Sequence, residues 1–197
     1  MRYLIYREYC FLHIYASAFV RREFMNNADL KSYNSKRKIV QLGFVTNDYK
    51  KTIAYLYERL LIGPWVIMEH KSGVTKIKEL HGKPVNEPFR FYCASAMLGD
   101  MEFEVIQPDY GPNPYSEFLE TRGPGIHHIK EKIDDDIFKE RCDALLSKGT
   151  KVAFNGEFFE DLFVYLDTMD EIGSMYELGN CPLIEDNPVI IGNYPEK

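Results

Sequence analysis

The chain has 197 residues, 45% hydrophobic and 14% aromatic, enough to bury one substantial core or two small ones that share an interface. Its 24 basic and 30 acidic residues give a net charge of -6 with no basic block, which removes the electrostatic ground for nucleic acid or an anionic membrane as partner and leaves a small molecule. Cys10, Cys93, Cys142 and Cys181 include no Cys-x-x-Cys pair, so neither a zinc knot nor a disulfide framework is indicated, and they are read as reduced packing thiols.

Residues 1–24 differ from the rest. Two early arginines precede an apolar run over 9–20, and Ala16-Ser17-Ala18 resembles a signal-peptidase site. The run is interrupted by His13 and is too short to span a bilayer. Arg21-Arg22-Glu23 can be encoded by a purine-rich stretch like a bacterial ribosome-binding site, so Met25 is expected as the natural start and 1–24 as translated leader. The alternative is an amphipathic N-terminal helix packed on the body. Residues 26–37, rich in Asn, Ser and Lys, are expected to be a linker.

From Lys38 the pattern is regular. Residues 38–46 (KIVQLGFVT) predict a strand, and Asp48 caps a helix with apolar positions Ile53, Ala54, Tyr57, Leu60 and Leu61, ended by Gly63-Pro64. Strands are expected over 65–69, 89–97 and 101–107, the last two joined by a Leu98-Gly99-Asp100 turn. The same βαβββ order recurs after Gly125: a strand over 126–133, a helix over 135–147, then strands near 151–154, 159–167 and 174–178. Residues 181–197 form a C-terminal tail. The expected fold is therefore α+β, with modules 38–108 and 126–180 forming a curved mixed sheet around a cup and helices on its outer face.

Laid on each other, the modules make Gln41 equivalent to His128, Asp48 to Asp135, and Glu104 to Glu177. Strand alternation turns Phe103 and Val105 toward a helix and Glu102, Glu104 and Ile106 toward the concave face. An amide, an imidazole and two carboxylates would then meet at one centre, a donor set suited to Zn, Ni, Co or Mn. His127 is expected to face away from that centre, because neighbours on a strand point apart.

These residues resemble the vicinal oxygen chelate superfamily, which holds glyoxalase I and methylmalonyl-CoA epimerase. The order Gln41, Glu104, His128, Glu177 is similar to the ligand set of eukaryotic-type glyoxalase I. The local sequence is closer to the epimerases in Ile62-Gly63-Pro64-Trp65, Glu104-Val105-Ile106-Gln107-Pro108, Ser116-Glu117-Phe118-Leu119, Gly123-Pro124-Gly125-Ile126-His127-His128-Ile129 and Gly173-Ser174-Met175-Tyr176-Glu177-Leu178. The resemblance spans about residues 38–180. Three departures stand out. The epimerase pattern has His where this chain has Gln41. Glu87 is offset by about one residue from the second catalytic carboxylate of the epimerases, and it is left unassigned. Lys130 shares the face of His128, where the family keeps a small or apolar residue; its ammonium would compete with a cation or bind an anionic substrate group.

The resemblance implies a metal-dependent lyase or isomerase working through an enolate, with Gln41, Glu104, His128 and Glu177 on the metal, Glu104 or Glu177 as base and Lys130 on the substrate. The expected setting is a cytoplasmic homodimer. A metal-free drug-binding protein of the same fold is the second reading. A ring-cleaving dioxygenase is the third, since Gln41 leaves one histidine where that chemistry needs two.

Overall fold

The computed structural model describes residues 25–182 and 187–196. The leader, signal-site and N-terminal-helix readings of 1–24, and Cys10 with them, lie outside the described residues.

The chain starts with α1 (Asn27–Asn34). It is a short helix where a linker was expected, because the Asn26 side chain accepts from the amides of Ala28 and Asp29 and supplies a cap. The first module follows as β1 (Lys38–Val45), α2 (Tyr49–Leu60), β2 (Trp65–Lys71), β3 (Thr75–Leu80), β4 (Lys83–Pro84), β5 (Arg90–Leu98) and β6 (Met101–Tyr110). Helix α3 (Pro114–Arg122) links it to the second module, β7 (Gly125–Lys132), α4 (Phe138–Leu146), β8 (Val152–Phe158), β9 (Asp161–Leu166), α5 (Met169–Ile172) and β10 (Met175–Gly179). Strand β11 (Ile190–Tyr194) lies within what the sequence gives only as a tail.

The described strands form one 11-stranded sheet in the order β11-β2-β5-β6-β1-β7-β10-β9-β8-β3-β4. Within the first module β1 runs parallel to β6, and β6 and β5 continue antiparallel to β2. The second module repeats this: β7 is parallel to β10, followed by antiparallel β9 and β8. Antiparallel pairing of β1 with β7 joins the halves at their equivalent first strands. Strand β3 breaks the symmetry, because it leaves β2 through a short turn and pairs with β8 of the other module.

Each module has its own outer core. Under α2, Tyr49 and Ile53 pack with Trp65, Ala94, Ala96 and Val105. Under α4, Phe138 and Cys142 pack with Val164, Leu166 and Leu178. Asp48 starts α2 by accepting from the Lys51 amide. A third cluster fills the concave side, where Phe91, Cys93, Ile106, Phe154 and Tyr165 meet Tyr115 and Phe118 of α3. Two helices thus cover the outer face as expected, while α3 contributes to the floor of the cup. No helix among the described residues is long and apolar enough to cross a membrane.

Candidate functional site

Two β-bulges shape the centre of the sheet. Between β1 and β7 the register slips between Ile39 and Gln41 and again between Gly43 and Phe44, where Ile126 replaces the expected His127 as partner. The unpaired residues are therefore Val40 in β1 and His127 in β7, each just before a site residue. A bulge brings two consecutive side chains to one side of a sheet. This overturns the expectation that His127 faces away: both histidines are fully buried on the inner side, with Nδ1 to Nδ1 at 3.1 Å.

Three of the four sequence-predicted donors converge on the fourth, the imidazole of His128. From its Nε2, the Gln41 Oε1 lies at 3.1 Å, Glu177 Oε2 at 3.3 Å and Glu104 Oε2 at 3.5 Å. Gln41 donates from Nε2 to Glu102 Oε2 at 2.9 Å, which fixes its amide with the oxygen toward His128. The ring crosses so close over β1 that a Cβ at Gly43 would stand 1.9 Å from His128 Cε1. Glycine at position 43 is thus required by the ring opposite.

Lys130 points inward and is buried, its Nζ 3.0 Å from Glu177 Oε1 and 3.9 Å from Asp161 Oδ2. Gly179 makes room for its stem, since a Cβ there would lie 2.2 Å from Lys130 Cε. Glu87, by contrast, is exposed and outside the cup. The residues that sequence reasoning did not assign are Glu102, Asp161, Cys93 and His70, all lining the same cavity of about 270 Å³. Alternation already turned Glu102 inward with Glu104; nothing local marked Asp161 or His70.

Burial, then the neighbouring carboxylates Glu102 and Glu177, raise the Glu104 carboxyl to about 8. Burial also raises Glu177, but Lys130 and the Tyr165 hydroxyl oppose that shift. Burial and then Lys130 lower His128 to about 3, so its imidazole is neutral. For Lys130 itself, burial pulls the value down, but Glu177 and Asp161 outweigh it and hold the ammonium charged. The cup therefore combines a carboxyl poised near neutrality, a neutral imidazole and a fixed positive charge.

A divalent ion would require a defined spacing of these donors. Bonds of about 2.1 Å in a tetrahedral site imply ligand separations of about 3.4 Å, and the oxygens stand 3.1–3.5 Å from His128 Nε2. Glu177 Oε2 has no hydrogen-bond partner among the described residues. The donor types and their distances to His128 Nε2 are compatible with an ion. Among the described residues no group of three or more His, Cys, Asp or Glu side chains is placed to hold a metal ion, so Glu104, His128 and Glu177 do not by themselves form a ready cage, and Glu177 is shared with Lys130. The other hollow described, of about 610 Å³ beside α1, has its Arg37 guanidinium and Glu131 carboxylate already bonded to each other.

No protein-family model matches the chain, and no curated protein does. Solved structures do. A hypothetical protein from Bacillus halodurans is similar with a TM-score of 0.54 at 18% identity, over 77% of this chain and 99% of that one. The methylmalonyl-CoA epimerase of Mycobacterium tuberculosis is similar at 0.52 and 17%, over 72% and 85%. A methylmalonyl-CoA epimerase in complex with methylmalonyl-CoA and NH4+ is similar at 0.51 and 18%, over 72% and 92%. These likenesses establish the fold, the paired-module architecture of the vicinal oxygen chelate type.

Proposed function

We propose that the protein is an isomerase or lyase that moves a proton on carbon next to a carbonyl, within the vicinal oxygen chelate superfamily and closest in manner to the epimerases. The observation that carries this is Glu104, a carboxyl raised to about 8 and facing the cup with a buried ammonium nearby. A base of that strength can remove a weakly acidic proton at neutral pH and return it. Lys130 and the neutral His128 then supply positive charge and a hydrogen bond to the oxygen on which negative charge develops. One structural neighbour is a methylmalonyl-CoA epimerase in complex with methylmalonyl-CoA and NH4+, and the Lys130 head group is likewise a nitrogen cation.

Were an ion bound, Gln41, Glu104, His128 and Glu177 would hold Zn, Ni, Co or Mn, which would polarise the substrate oxygens in place of the His128 hydrogen bond, and Glu104 would serve as base only when displaced from it. Glu177, already tied to Lys130, is the weaker candidate for the base. A cytoplasmic homodimer acting on a small molecule completes the proposal, and the site is complete within one chain. The drug-binding reading draws on the aromatic side of the cavity, with Phe91, Tyr115, Phe158, Phe163 and Tyr165.

Incubation with methylmalonyl-CoA, and separately with a glutathione hemithioacetal, in D2O tests the reading by mass spectrometry. Deuterium should enter the carbon next to the carbonyl in one of the two, and Glu104→Gln should slow that entry by about a hundredfold or more. No entry in either, together with tight binding of an apolar aromatic probe, would overturn it in favour of the binding protein.

A further inference from the structure

The cup has two ends. Along β5 the pairing sets His70 beside Phe91 and Glu104 beside Ser95, four residues apart, which is about 13 Å of strand. Glu102 of β6, Gln41 of β1 and Lys130 of β7 gather at the Glu104 end. His70 stands at the other, its ring stacked on Phe91 at 5.1 Å between centres and edge-on to Phe158 at 5.0 Å.

A phenylalanine in place of His70 would keep both ring contacts. The imidazole adds two nitrogens. Nδ1 is hydrogen-bonded at 2.8 Å to Oγ1 of the buried Thr75, at the start of β3. Nε2 has no hydrogen-bond partner among the described residues, yet it is not one of the polar atoms sealed from solvent. Since His70 lines the cavity, Nε2 opens into it. Burial lowers His70 to about 4, so the ring carries no charge near neutral pH. The Thr75 hydroxyl can donate or accept, so in either tautomer Nε2 has one hydrogen bond to offer. No lysine or arginine lines this end; Lys130, the only one among the described lining residues, lies 3.0 Å from Glu177. A carboxylate or phosphate brought to His70 would lose its water and gain no counter-charge. The hollow of about 270 Å³ is also small beside ligand pockets in general, which run from roughly 300 to 1,000 Å³.

We infer that His70 is a specificity-determining residue whose Nε2 takes an uncharged hydroxyl or carbonyl of the substrate, and that the substrate is a compact carbonyl compound with its apolar body against Phe91 and Phe158. Which end of the substrate reacts rests on the proton-transfer reading of Glu104. The contact at His70 rests on the cavity alone, so the two can fail separately.

Two ketones that differ by one hydroxyl test it, 4-phenyl-2-butanone and 4-(4-hydroxyphenyl)-2-butanone. Each is titrated into the full chain by calorimetry and followed for deuterium entry beside the carbonyl in D2O. The hydroxylated ketone should bind the wild type about tenfold more tightly, the worth of one good hydrogen bond. His70→Asn keeps an amide in reach of Thr75 and removes the atom at Nε2, whereas His70→Phe keeps the ring. In both variants the advantage should shrink to about twofold or less, in Kd and KM rather than in kcat, with an unchanged near-UV circular dichroism spectrum. Should His70→Phe not fold, His70→Asn decides. Equal binding of the two ketones by the wild type, binding of neither, or an advantage that survives His70→Asn would each overturn the inference. A hydroxyl preference lost in His70→Asn, with no deuterium entry, supports the contact and counts against the proton-transfer reading alone. Deuterium entry without that preference overturns the contact and leaves proton transfer standing.

Discussion

Superposed through their shared register, the modules place Val40, Gln41 and Gly43 of β1 where β7 carries His127, His128 and Lys130. Gly43 stands beside Glu104 in the β1–β6 pair as Lys130 stands beside Glu177 in the β7–β10 pair. The backbone repeats down to the bulges, yet the side chains diverge. The first half contributes an amide, a glycine and a carboxyl that no cation touches directly; the second contributes two imidazoles, an ammonium and a carboxylate tied to it. Burial raises both equivalent carboxyls, and what stands beside each decides how strongly that rise is opposed. Glu104, without a close counter-charge, is held near neutrality, whereas Lys130 opposes the same rise at Glu177.

The sharpest way to break this contrast is to remove the ammonium. Lys130→Met leaves a carboxylate unpaired at Glu177, which is 1% exposed, and should cost about 3–5 kcal/mol in urea unfolding. Adding Glu177→Gln should recover most of that loss. If the single variant is as stable as the wild type, the two carboxyls are not distinguished by Lys130.

Next comes the glycine at the equivalent place. Gly43→Ala forces a Cβ into the His128 ring on two central strands, and about 3 kcal/mol should be lost. A loss below about 0.5 kcal/mol would mean that the ring moves aside freely.

The pH dependence of stability separates the halves without changing their shape. The folded value of Glu104, about 8, exceeds its ordinary 4.5, so its stabilising contribution is full below 4.5 and is lost as pH rises through 8. His128 acts oppositely, with about 3 against an ordinary 6.5, so its contribution is lost as pH falls below 6.5. Stability should therefore decline from pH 6.5 to 8 in the wild type, and the decline should flatten in Glu104→Gln. An unchanged slope would show that another group titrates there.

The smallest effect is expected at Gly179→Ala. The added carbon meets the flexible Lys130 stem, and its nearest main-chain atom is Leu162 O at 3.4 Å, so a loss of about 1 kcal/mol is expected. A loss as large as that of Gly43→Ala would show that Lys130 is as rigidly held as the His128 ring.

Much of this was legible because duplication is visible in a sequence. The Asp48 cap, the Trp65 core position and the alternation around Glu104 needed only local periodicity, and the match of Gln41 with His128 followed from laying one half on the other. What escaped lacks a counterpart in the repeat. Thr75–Leu80 alternates buried and exposed residues only over Thr75, Lys76 and Ile77, and a four-stranded module has no place for it. Asn27–Asn34 has no apolar stripe and buries none of its residues, so its helix rests on a cap. His127 was assigned to the wrong side because a bulge shifts the period of two by one residue, and no residue type announces it.

Strand β3 also decides what a fragment of this protein would be. Its pairing with β8 completes the second module with a segment encoded in the first, from Thr75↔Phe158 to Leu80↔Phe154. A cut in the connection that carries α3 would therefore yield no pair of autonomous domains. The C-terminal piece would present β8 as a bare edge, with a row of unanswered amides and carbonyls open to any extended chain. The N-terminal piece would carry the missing strand with nothing to lay it on. Mixed together, the pieces have an incentive to reassemble; kept apart, each is a template for aggregation.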